Sequence, residues 1–184
     1  MRKLIMFNML SLDGYFAGPH GELDWHHVGE EFNEFAMAQL ERAGGLVFGR
    51  VTYQGMAAWW PTPEAVKADP LVAGKMNNLD KYVFSRSLET VDWNNTTLFK
   101  GRAEEGMVRL KEQAGGDLLL FGSANLASTL TANGLIDEYR LMINPVVLGS
   151  GQALFPPGET RREMALIAVQ PFRSGNVLLS YRPA

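Results

Sequence analysis

The stretch LVFGR, at residues 46–50, runs through three apolar side chains to a glycine and an arginine. The segments YVFSR at residues 82–86 and LLLFGS at residues 118–123 have the same form, an apolar run that ends in small or basic residues. Continuous apolar runs are typical of strands covered on both faces, and each is followed by a helix-like start. In open α/β sheets, ligands bind at the carboxyl ends of such strands, where helix N-termini offer N–H groups to anions. The three junctions therefore predict a phosphate-rich ligand at one sheet edge, with a nucleotide cofactor as the leading candidate.

Strand and helix patterns alternate over the first two thirds of the chain. Helical patterns, each with an apolar stripe on one face, separate most of the strand-like runs. The strand-like runs lie at about residues 3–10, 45–49, 81–85, 96–99 and 117–121, and the helical patterns at residues 30–43, 103–114 and 123–133. Alternation of this kind predicts a largely parallel sheet.

The last third of the chain has a different pattern. Strand-like residues 163–171 and 176–182 follow each other without a helix, and Ser174-Gly175-Asn176 supplies a turn between them. They predict an antiparallel hairpin at the sheet edge. No repeat or linker divides the sequence, so residues 1–184 are expected to form one α/β domain. Its fold would be a mostly parallel central sheet flanked by helices, with a C-terminal antiparallel hairpin.

Composition excludes several classes of function. Of the 184 residues, 46% are apolar and 20% charged, which suits a chain with a substantial core. The net charge of −3 argues against a nucleic-acid partner. The chain has no cysteine, which excludes disulfides, thiolate zinc sites and cysteine nucleophiles. No apolar stretch approaches the ~20 residues that span a bilayer, and the N-terminal residues lack a signal-peptide pattern. These observations predict a cytoplasmic protein with no membrane partner.

Gly49, Arg50 and Thr52 form the first candidate ligand-binding group. Glycine lets a ligand approach the backbone closely, threonine adds a hydroxyl, and arginine offers a fork of donors suited to phosphate. A plain strand-to-helix turn with a solvated arginine explains the same residues, and the residues alone do not decide between the two interpretations.

Two further groups repeat this arrangement. Ser85 and Arg86 suit a phosphomonoester such as the 2′-phosphate of NADPH, although serines also favour turns and helix caps. Gly122, Ser123 and Ala124 open the third helical pattern, where Ser123 serves as an N-cap or as a pyrophosphate ligand. Neither a G-x-G-x-x-G fingerprint nor a P-loop is present, which disfavours Rossmann dehydrogenases and P-loop enzymes.

Two acidic residues are candidates for proton transfer. Asp24 precedes Trp25, and Glu30 opens the first helical pattern. A carboxyl group beside Trp25 and Phe35 would be partly desolvated, which raises its pKa and suits proton donation. The alternative is that acidic residues in a first turn only complement the helix dipole. Asp13-Gly14, further upstream, is interpreted as a turn in which Asp13 bonds its own backbone.

The histidines and the tryptophan pair have ordinary explanations. His20, His26 and His27 are close in sequence but lack the carboxylate spacing of a metal site, so no metal is predicted. Trp59-Trp60 opens residues 59–72, the least regular stretch of the sequence. The pair is interpreted as packing or a dimer contact, with a lid that stacks on a planar substrate as the alternative.

Taken in order, these segments resemble the dihydrofolate reductase-like superfamily. The closest likeness is to stand-alone members similar to the reductase domain of riboflavin biosynthesis, the RibD C-terminal domain, and it runs over nearly the whole chain. The matching segments are SLDG at 11–14, FGRVTY at 48–53, VFSRSL at 83–88, FGSA at 121–124, GLIDEYRL at 134–141 and NPVVLGSG at 144–151, followed by Leu154-Phe155.

The resemblance implies an NADPH-dependent reductase. By the match, Gly49, Arg50 and Thr52 would hold cofactor phosphates, Ser85 and Arg86 would lie near the adenosine 2′-phosphate, and Gly122, Ser123 and Ala124 would cradle the pyrophosphate. The loop around residues 15–24 would close over the nicotinamide and a small-molecule substrate.

The substrate stays open between a pterin and the ribosylamino-pyrimidine of the riboflavin pathway. Glu30 after Trp25 occupies a place similar to the acid of dihydrofolate reductases, and Gly49 to Met56 also looks more like those enzymes. The Ser-Leu-Asp-Gly opening and the Pro-Val-Val-Leu-Gly-Ser-Gly segment look more like the riboflavin reductases. The resemblance also implies a homodimer. The alternative from another class is a nucleotide-binding module without catalysis, or a degenerate reductase.

Overall fold

A computed structural model describes residues 1–155, 158 and 160–184. The strands of the main sheet are β1 (Leu4–Leu10), β3 (Ala43–Gly49), β4 (Lys81–Phe84), β5 (Thr96–Phe99), β6 (Asp117–Phe121), β7 (Glu138–Ile143), β9 (Met164–Pro171) and β10 (Val177–Pro183). Two short strands, β2 (Tyr15–Ala17) and β8 (Gln152–Ala153), pair with each other apart from it. The helices are α1 (Glu30–Arg42), α2 (Arg50–Trp59), α3 (Pro63–Ala68), α4 (Pro70–Asn78), α5 (Ala103–Glu112) and α6 (Ala124–Ala132).

The main sheet has eight strands in the order β5-β4-β3-β6-β1-β7-β10-β9. The first six are parallel, β10 runs antiparallel to β7, and β9 runs antiparallel to β10. The predicted mostly parallel sheet with a C-terminal antiparallel hairpin is therefore confirmed. The hairpin turns at Gly175, whose φ of +89° is a conformation that glycine adopts readily.

Both faces of the parallel strands are covered, which explains their continuous apolar runs. All seven residues of β1 are buried. On one face, Leu4 and Met6 pack in a core with residues of α5 and α6, and on the other face Ile5 packs in a core with residues of α1, α2 and α4. A third cluster places Phe7 and Met9 against Phe32 and Phe35 of α1.

Residues 59–72, predicted to be the least regular stretch, contain helical structure. After α2 ends at Trp59, two short helices follow, each with a proline in its first turn. The Thr62 hydroxyl accepts the Ala65 N–H at 3.2 Å, and the Asp69 carboxylate accepts the Val72 N–H at 3.0 Å. The prolines that suggest irregular chain instead begin helices, because a first-turn N–H has no partner within the helix to lose.

Candidate nucleotide-binding site

The three predicted junctions lie side by side at one edge of the sheet. Strand β3 is flanked by β4 and β6, and all three run in the same direction. Gly49 is aligned with Phe84, and Val47 with Leu120, so the three strands end at nearly the same level. The chain segments that follow them, at residues 49–52, 85–87 and 122–124, therefore form one continuous edge.

A cleft of about 740 Å³ opens along this edge. Its walls come from the starts of α2, α5 and α6 and from the segment after β4. Among the predicted cofactor residues, those that line it are Gly49, Arg50, Thr52, Ser85, Arg86, Ser123 and Ala124. Gly122 is not among the lining residues but lies close to Thr52, since an added Cβ would lie 2.9 Å from the Thr52 hydroxyl oxygen.

Hydrogen bonds of Ser123 and Thr52 join two of the junctions. The Ser123 hydroxyl accepts the Gly49 N–H at 2.8 Å, and the Ser123 N–H donates to the Thr52 hydroxyl at 3.1 Å. The two hydroxyl oxygens are 3.0 Å apart. The starts of α2 and α6 are therefore held together at the floor of the cleft.

Both helix starts leave donors for a ligand. Ser123 stands at the N-cap position of α6, but its side chain makes no capping hydrogen bond, because it is used on Gly49 and Thr52 instead. Gly49 at the N-cap of α2 has no side chain to offer. Uncapped first-turn N–H groups at two helix starts favour an anion between them.

The charges in the cleft are mainly positive. Arg50 and Arg86 are exposed, and neither makes an ion pair among the described residues. The one described acceptor of the Arg50 side chain is the side-chain oxygen of Gln54, at 3.1 Å. Glu104 is the one carboxylate among the lining residues that the structure describes. Two guanidinium groups thus outnumber a single carboxylate at a site shaped for an anion.

Ser85 both stabilises a turn and lines the cleft. Its hydroxyl accepts the N–H of Ser87 at 3.2 Å and that of Leu88 at 3.0 Å, which is turn chemistry. The same turn brings Ser85, Arg86 and Ser87 to the cleft wall. Turn formation and ligand contact are therefore compatible at this junction.

Several lining residues are not predicted from the sequence. Phe16 of β2 and Gln152 and Ala153 of β8 form one wall, and Asn125, Ser128 and Thr129 of α6 extend another. Strand β2 begins the loop at residues 15–24 that the family resemblance places over the ligand, so only its partner strand β8 is unexpected there. No sequence pattern pairs a three-residue strand with a two-residue strand so far along the chain.

Asp13 holds the loop that leads to this wall. Its carboxylate accepts the Leu148 N–H at 3.1 Å and the Gly149 N–H at 2.7 Å. The pKa of Asp13 is lowered, first by the Ser11 hydroxyl and then by these backbone donors. The predicted Asp13-Gly14 turn is present, with Gly14 at φ +85° and its N–H on the Ser11 carbonyl. Through Asp13, the turn also joins the loop after β1 to residues 148 and 149, a contact that the local sequence around Asp13 does not predict.

The two predicted acids lie outside the lining residues. Glu30 is the first residue of α1 and is exposed, and Asp24 is exposed in the loop before it. The desolvated surroundings expected for Glu30 are therefore not found: Trp25 packs edge-on against His26 at 4.4 Å, and Phe35 packs against Phe7 at 5.6 Å.

Glu31, the next residue of α1, is half-buried. Its carboxylate accepts the Arg173 N–H at 2.8 Å, which ties the start of α1 to the loop between β9 and β10.

The histidines are dispersed. His20 and His27 are exposed, and His26 is half-buried. Burial lowers the pKa of His26 to about 4. Within residues 1–155, 158 and 160–184, no three His, Cys, Asp or Glu side chains come together as a metal site would require.

The tryptophan pair does not reach the cleft. Trp60 packs against the core that contains Phe48 and Tyr53, and its indole N–H points to the Met56 sulfur at 3.1 Å. Trp59 is half-exposed, and neither ring is among the lining residues. The packing interpretation is confirmed for Trp60, and neither ring is placed as a lid over the cleft.

The fold and the edge cleft together define a protein of the dihydrofolate reductase-like class. The family model described as the RibD C-terminal domain matches residues 2–178, and the chain belongs to this family. It is 31% identical over 182 residues to the uncharacterized protein YyaP of Bacillus subtilis (strain 168), with 98% of this chain and 94% of that protein covered.

Solved structures give the same fold. A candidate riboflavin biosynthesis protein from Shewanella sp. PV-4 superposes with a TM-score of 0.74 at 24% identity, covering 99% of both chains. Dihydrofolate reductase from Enterococcus faecalis, complexed with NADP(H), superposes with a TM-score of 0.67 at 16% identity, covering 98% of this chain and 96% of that one. Family and fold are thus both reductase-like. Among the helices of the described residues, none combines the length and the apolar character needed to cross a membrane.

Proposed function

We propose that this protein is an NADPH-dependent reductase that transfers hydride to a pteridine- or pyrimidine-type ring. The observation that carries the proposal is the cleft at the carboxyl ends of β4, β3 and β6. Two uncapped helix starts face it, and so do two guanidinium groups that form no ion pair with any described residue. An elongated ligand with several phosphates would use all of these donors at once.

The shape of the edge supports a dinucleotide. At Gly49, an added Cβ would lie 3.3 Å from the Ser123 side chain, so the junction is kept open by the absence of a side chain there. Gly49, Arg50 and Thr52, together with Gly122, Ser123 and Ala124, would hold the pyrophosphate and neighbouring phosphates. Ser85 and Arg86 would hold the adenosine 2′-phosphate. The NADP(H) bound by the E. faecalis enzyme, which shares the fold, supports this cofactor.

The cofactor, when bound, supplies the hydride. The residues of the cleft would hold the cofactor and substrate rings against each other and exclude water, and such positioning contributes much of the rate enhancement in reductases. Phe16, with Gln152 and Ala153, forms the wall that would cover the reacting end. Glu30 is the proposed proton donor and Asp24 the second candidate. Both are exposed and lie outside the lining residues, so neither touches the cleft wall directly.

Quenching of tryptophan fluorescence by NADPH and NADH tests the cofactor assignment. Arg50→Ala and Arg86→Ala should each weaken NADPH binding by roughly ten-fold or more, since each removes a charge-assisted contact with a phosphate. Arg109→Ala is the matched control, because it removes the same charge from an exposed position on α5 that does not line the cleft. The absence of binding of either nucleotide would refute the proposal.

Replacing the acid separates an enzyme from a binding module. Glu30→Gln should lower turnover and leave NADPH affinity nearly unchanged, while Glu34→Gln, an exposed change on the same helix, should alter neither. The position of Glu30 and Asp24 outside the lining residues favours a second candidate function, a nucleotide-binding module or degenerate reductase. NADPH binding without turnover of any ring substrate would support that second candidate.

Two kinds of structural relative support the choice of substrates to assay. One is a candidate riboflavin biosynthesis protein and the other a dihydrofolate reductase. The first compounds to assay are therefore the ribosylamino-pyrimidine of the riboflavin pathway and dihydrofolate, followed spectrophotometrically as loss of NADPH absorbance.

A homodimer is also proposed, and the sheet edge supports it. Strand β9 is an edge strand whose Leu166, Ile167 and Val169 are 56%, 49% and 53% exposed. An edge strand with apolar side chains invites pairing with a second strand. Sedimentation should find twice the chain mass of 20.4 kDa, and Val169→Lys should shift the protein towards the monomer. A monomer at all concentrations would refute this.

A further inference from the structure

Glu104 holds an unexpected position for an acid in an anion site. It lies in the first turn of α5 and lines the same end of the cleft as Ser85, Arg86 and Ser87. It is the single carboxylate among the described lining residues. A negative charge at that place opposes any phosphate that binds there, so its effect depends on the charge of the ligand.

The Glu104 side chain is held in place. Arg102 donates to its Oε1 from Nε at 2.7 Å, and Nη2 lies 2.6 Å from the same oxygen, so no described side chain contacts Oε2 in the same way. The Glu104 side chain is 21% exposed, against 71% for Arg102. A fixed, largely covered carboxylate acts on a ligand more strongly than a mobile solvated one.

Arg86 and Glu104 influence each other across this end of the cleft. The pKa of Glu104 is lowered, first by its own backbone N–H, next by Arg102, and in smaller part by the charge of Arg86. Arg86 is in none of the ion pairs formed among the described residues, so its guanidinium can meet a ligand while the Glu104 carboxylate influences it from nearby.

We propose that Glu104 is a specificity-determining residue, which sets how strongly the cleft prefers a nucleotide phosphorylated on the adenosine ribose to the unphosphorylated form. The inference rests on the proposed function, since that assigns the Arg86 end of the cleft to adenosine. A ribose phosphate brings about two negative charges, which Arg86 attracts and Glu104 repels. A free ribose hydroxyl brings no charge and can donate a hydrogen bond to a carboxylate. Arg86 and Glu104 therefore act in opposite directions on the same choice.

Glu105 provides a matched control. It belongs to the same first turn of α5 and lies 3.5 Å from Arg102, but it does not line the cleft. A change from glutamate to glutamine at either position removes one charge from the same helix start. Only the change at Glu104 removes it from the wall that the ligand would contact.

The test measures dissociation constants by calorimetry at low salt for NADPH and NADH. The same dissociation constants are measured for adenosine 2′,5′-bisphosphate and adenosine 5′-monophosphate, which report on this end of the cleft alone. Glu104→Gln should raise the preference for the phosphorylated ligand in each pair by about five-fold, and 0.5 M salt should reduce this gain. Glu105→Gln should change the preference less than two-fold. Arg102→Gln, which leaves the Glu104 carboxylate unneutralised, should lower it.

The outcomes separate the two proposals. An unchanged preference in Glu104→Gln, or a change equal to that in Glu105→Gln, overturns the role of Glu104 even if the protein is a reductase. If Glu104→Gln does not fold, Glu104→Ala, which removes the same charge, takes its place, and an unchanged preference in that variant overturns the role. A shifted preference without turnover of any ring supports Glu104 and overturns the reductase activity. Failure of the unmodified protein to bind any of the four nucleotides overturns both.

Discussion

At the scale of single residues, Gly122 is the most constrained position of the site. Its backbone is left-handed, with φ +53°, and an added Cβ would lie 2.9 Å from the Thr52 hydroxyl oxygen. That oxygen is held by Ser123, so it cannot yield without loss of a hydrogen bond. We expect Gly122→Ala to lower the free energy of unfolding by about 2 kcal/mol and to weaken NADPH binding, as measured by urea unfolding and by fluorescence titration.

Gly134 is the matched control for this change. Its φ is +65°, but an added Cβ would meet no atom within 4 Å. Gly134→Ala should therefore lower the free energy of unfolding only by the cost of the left-handed backbone conformation, about 1 kcal/mol. It should leave nucleotide binding unchanged. Equal effects of the two substitutions would show that the contact with Thr52 does not matter.

The residues of the site differ in how far the sequence predicts them. Gly49, Arg50 and Ser123 follow apolar runs, and that local pattern places them at the ends of buried strands. The use of the Ser123 hydroxyl on Gly49, rather than as a helix cap, depends on the pairing of β3 with β6. No local pattern carries that information, because the two segments are distant in sequence.

At the scale of elements, the sequence of residues 59–72 contains recognisable start signals for the helices α3 and α4. Thr62-Pro63 and Asp69-Pro70 each combine an N-cap residue with a proline in the first turn, which is a helix start rather than irregular chain. The short β2–β8 pair is different, since five residues in all cannot show a period. Short elements are set by the tertiary contacts around them.

The segment before α1 should give the protein a pH-dependent stability. The His27 N–H donates to Asn144 at 2.9 Å, and Asn176 donates to the His27 carbonyl at 2.8 Å, so His26 lies next to a residue that is anchored on both sides of its backbone. Burial lowers the pKa of His26 from 6.5 to about 4. The unfolded chain thus binds the proton more readily, and this contribution to stability is complete above pH 6.5 and is lost as the pH falls towards 4.

The measurement is urea unfolding at a series of pH values between 4 and 7. Compared with His26→Leu, the unmodified protein should lose about 1 to 2 kcal/mol more over this range, after allowance for the partial exposure of the ring. His20→Leu, at an exposed position, should leave the difference unchanged. Parallel curves for the protein and His26→Leu would contradict the prediction.

At the scale of the whole molecule, the sheet is the part that the sequence predicts best. The apolar runs of β1, β3 and β6 and the turn at Gly175 are strong local signals for buried strands and for a hairpin. The strand order, which places β1 between β6 and β7, joins segments more than a hundred residues apart. Neither composition nor a local period carries that order, because the paired segments are so far apart in the chain.

Asp137 links three distant parts of the molecule, and its removal should be costly. Its Oδ2 accepts the Lys111 ammonium of α5 at 2.6 Å and the Leu4 N–H of β1 at 2.7 Å. The Lys111 side chain is 5% exposed, and its other acceptor is the Leu135 carbonyl at 2.9 Å. Asp137→Ala leaves a buried ammonium and a strand N–H without this acceptor, so we expect a loss of about 2 to 4 kcal/mol in the free energy of unfolding.

Two comparisons make the Asp137 prediction specific. Asp117→Ala removes a similar carboxylate, which accepts the Lys3 N–H at 2.9 Å in an exposed setting, and should cost less than about 1 kcal/mol. Lys111→Met removes the buried charge itself and should cost less than Asp137→Ala, because no ammonium is left unpaired. Urea unfolding of the three variants gives the order. If Asp137→Ala were no more harmful than Asp117→Ala, the link between α5, β1 and the start of β7 would not contribute to stability, and the apolar cores alone would hold these elements together.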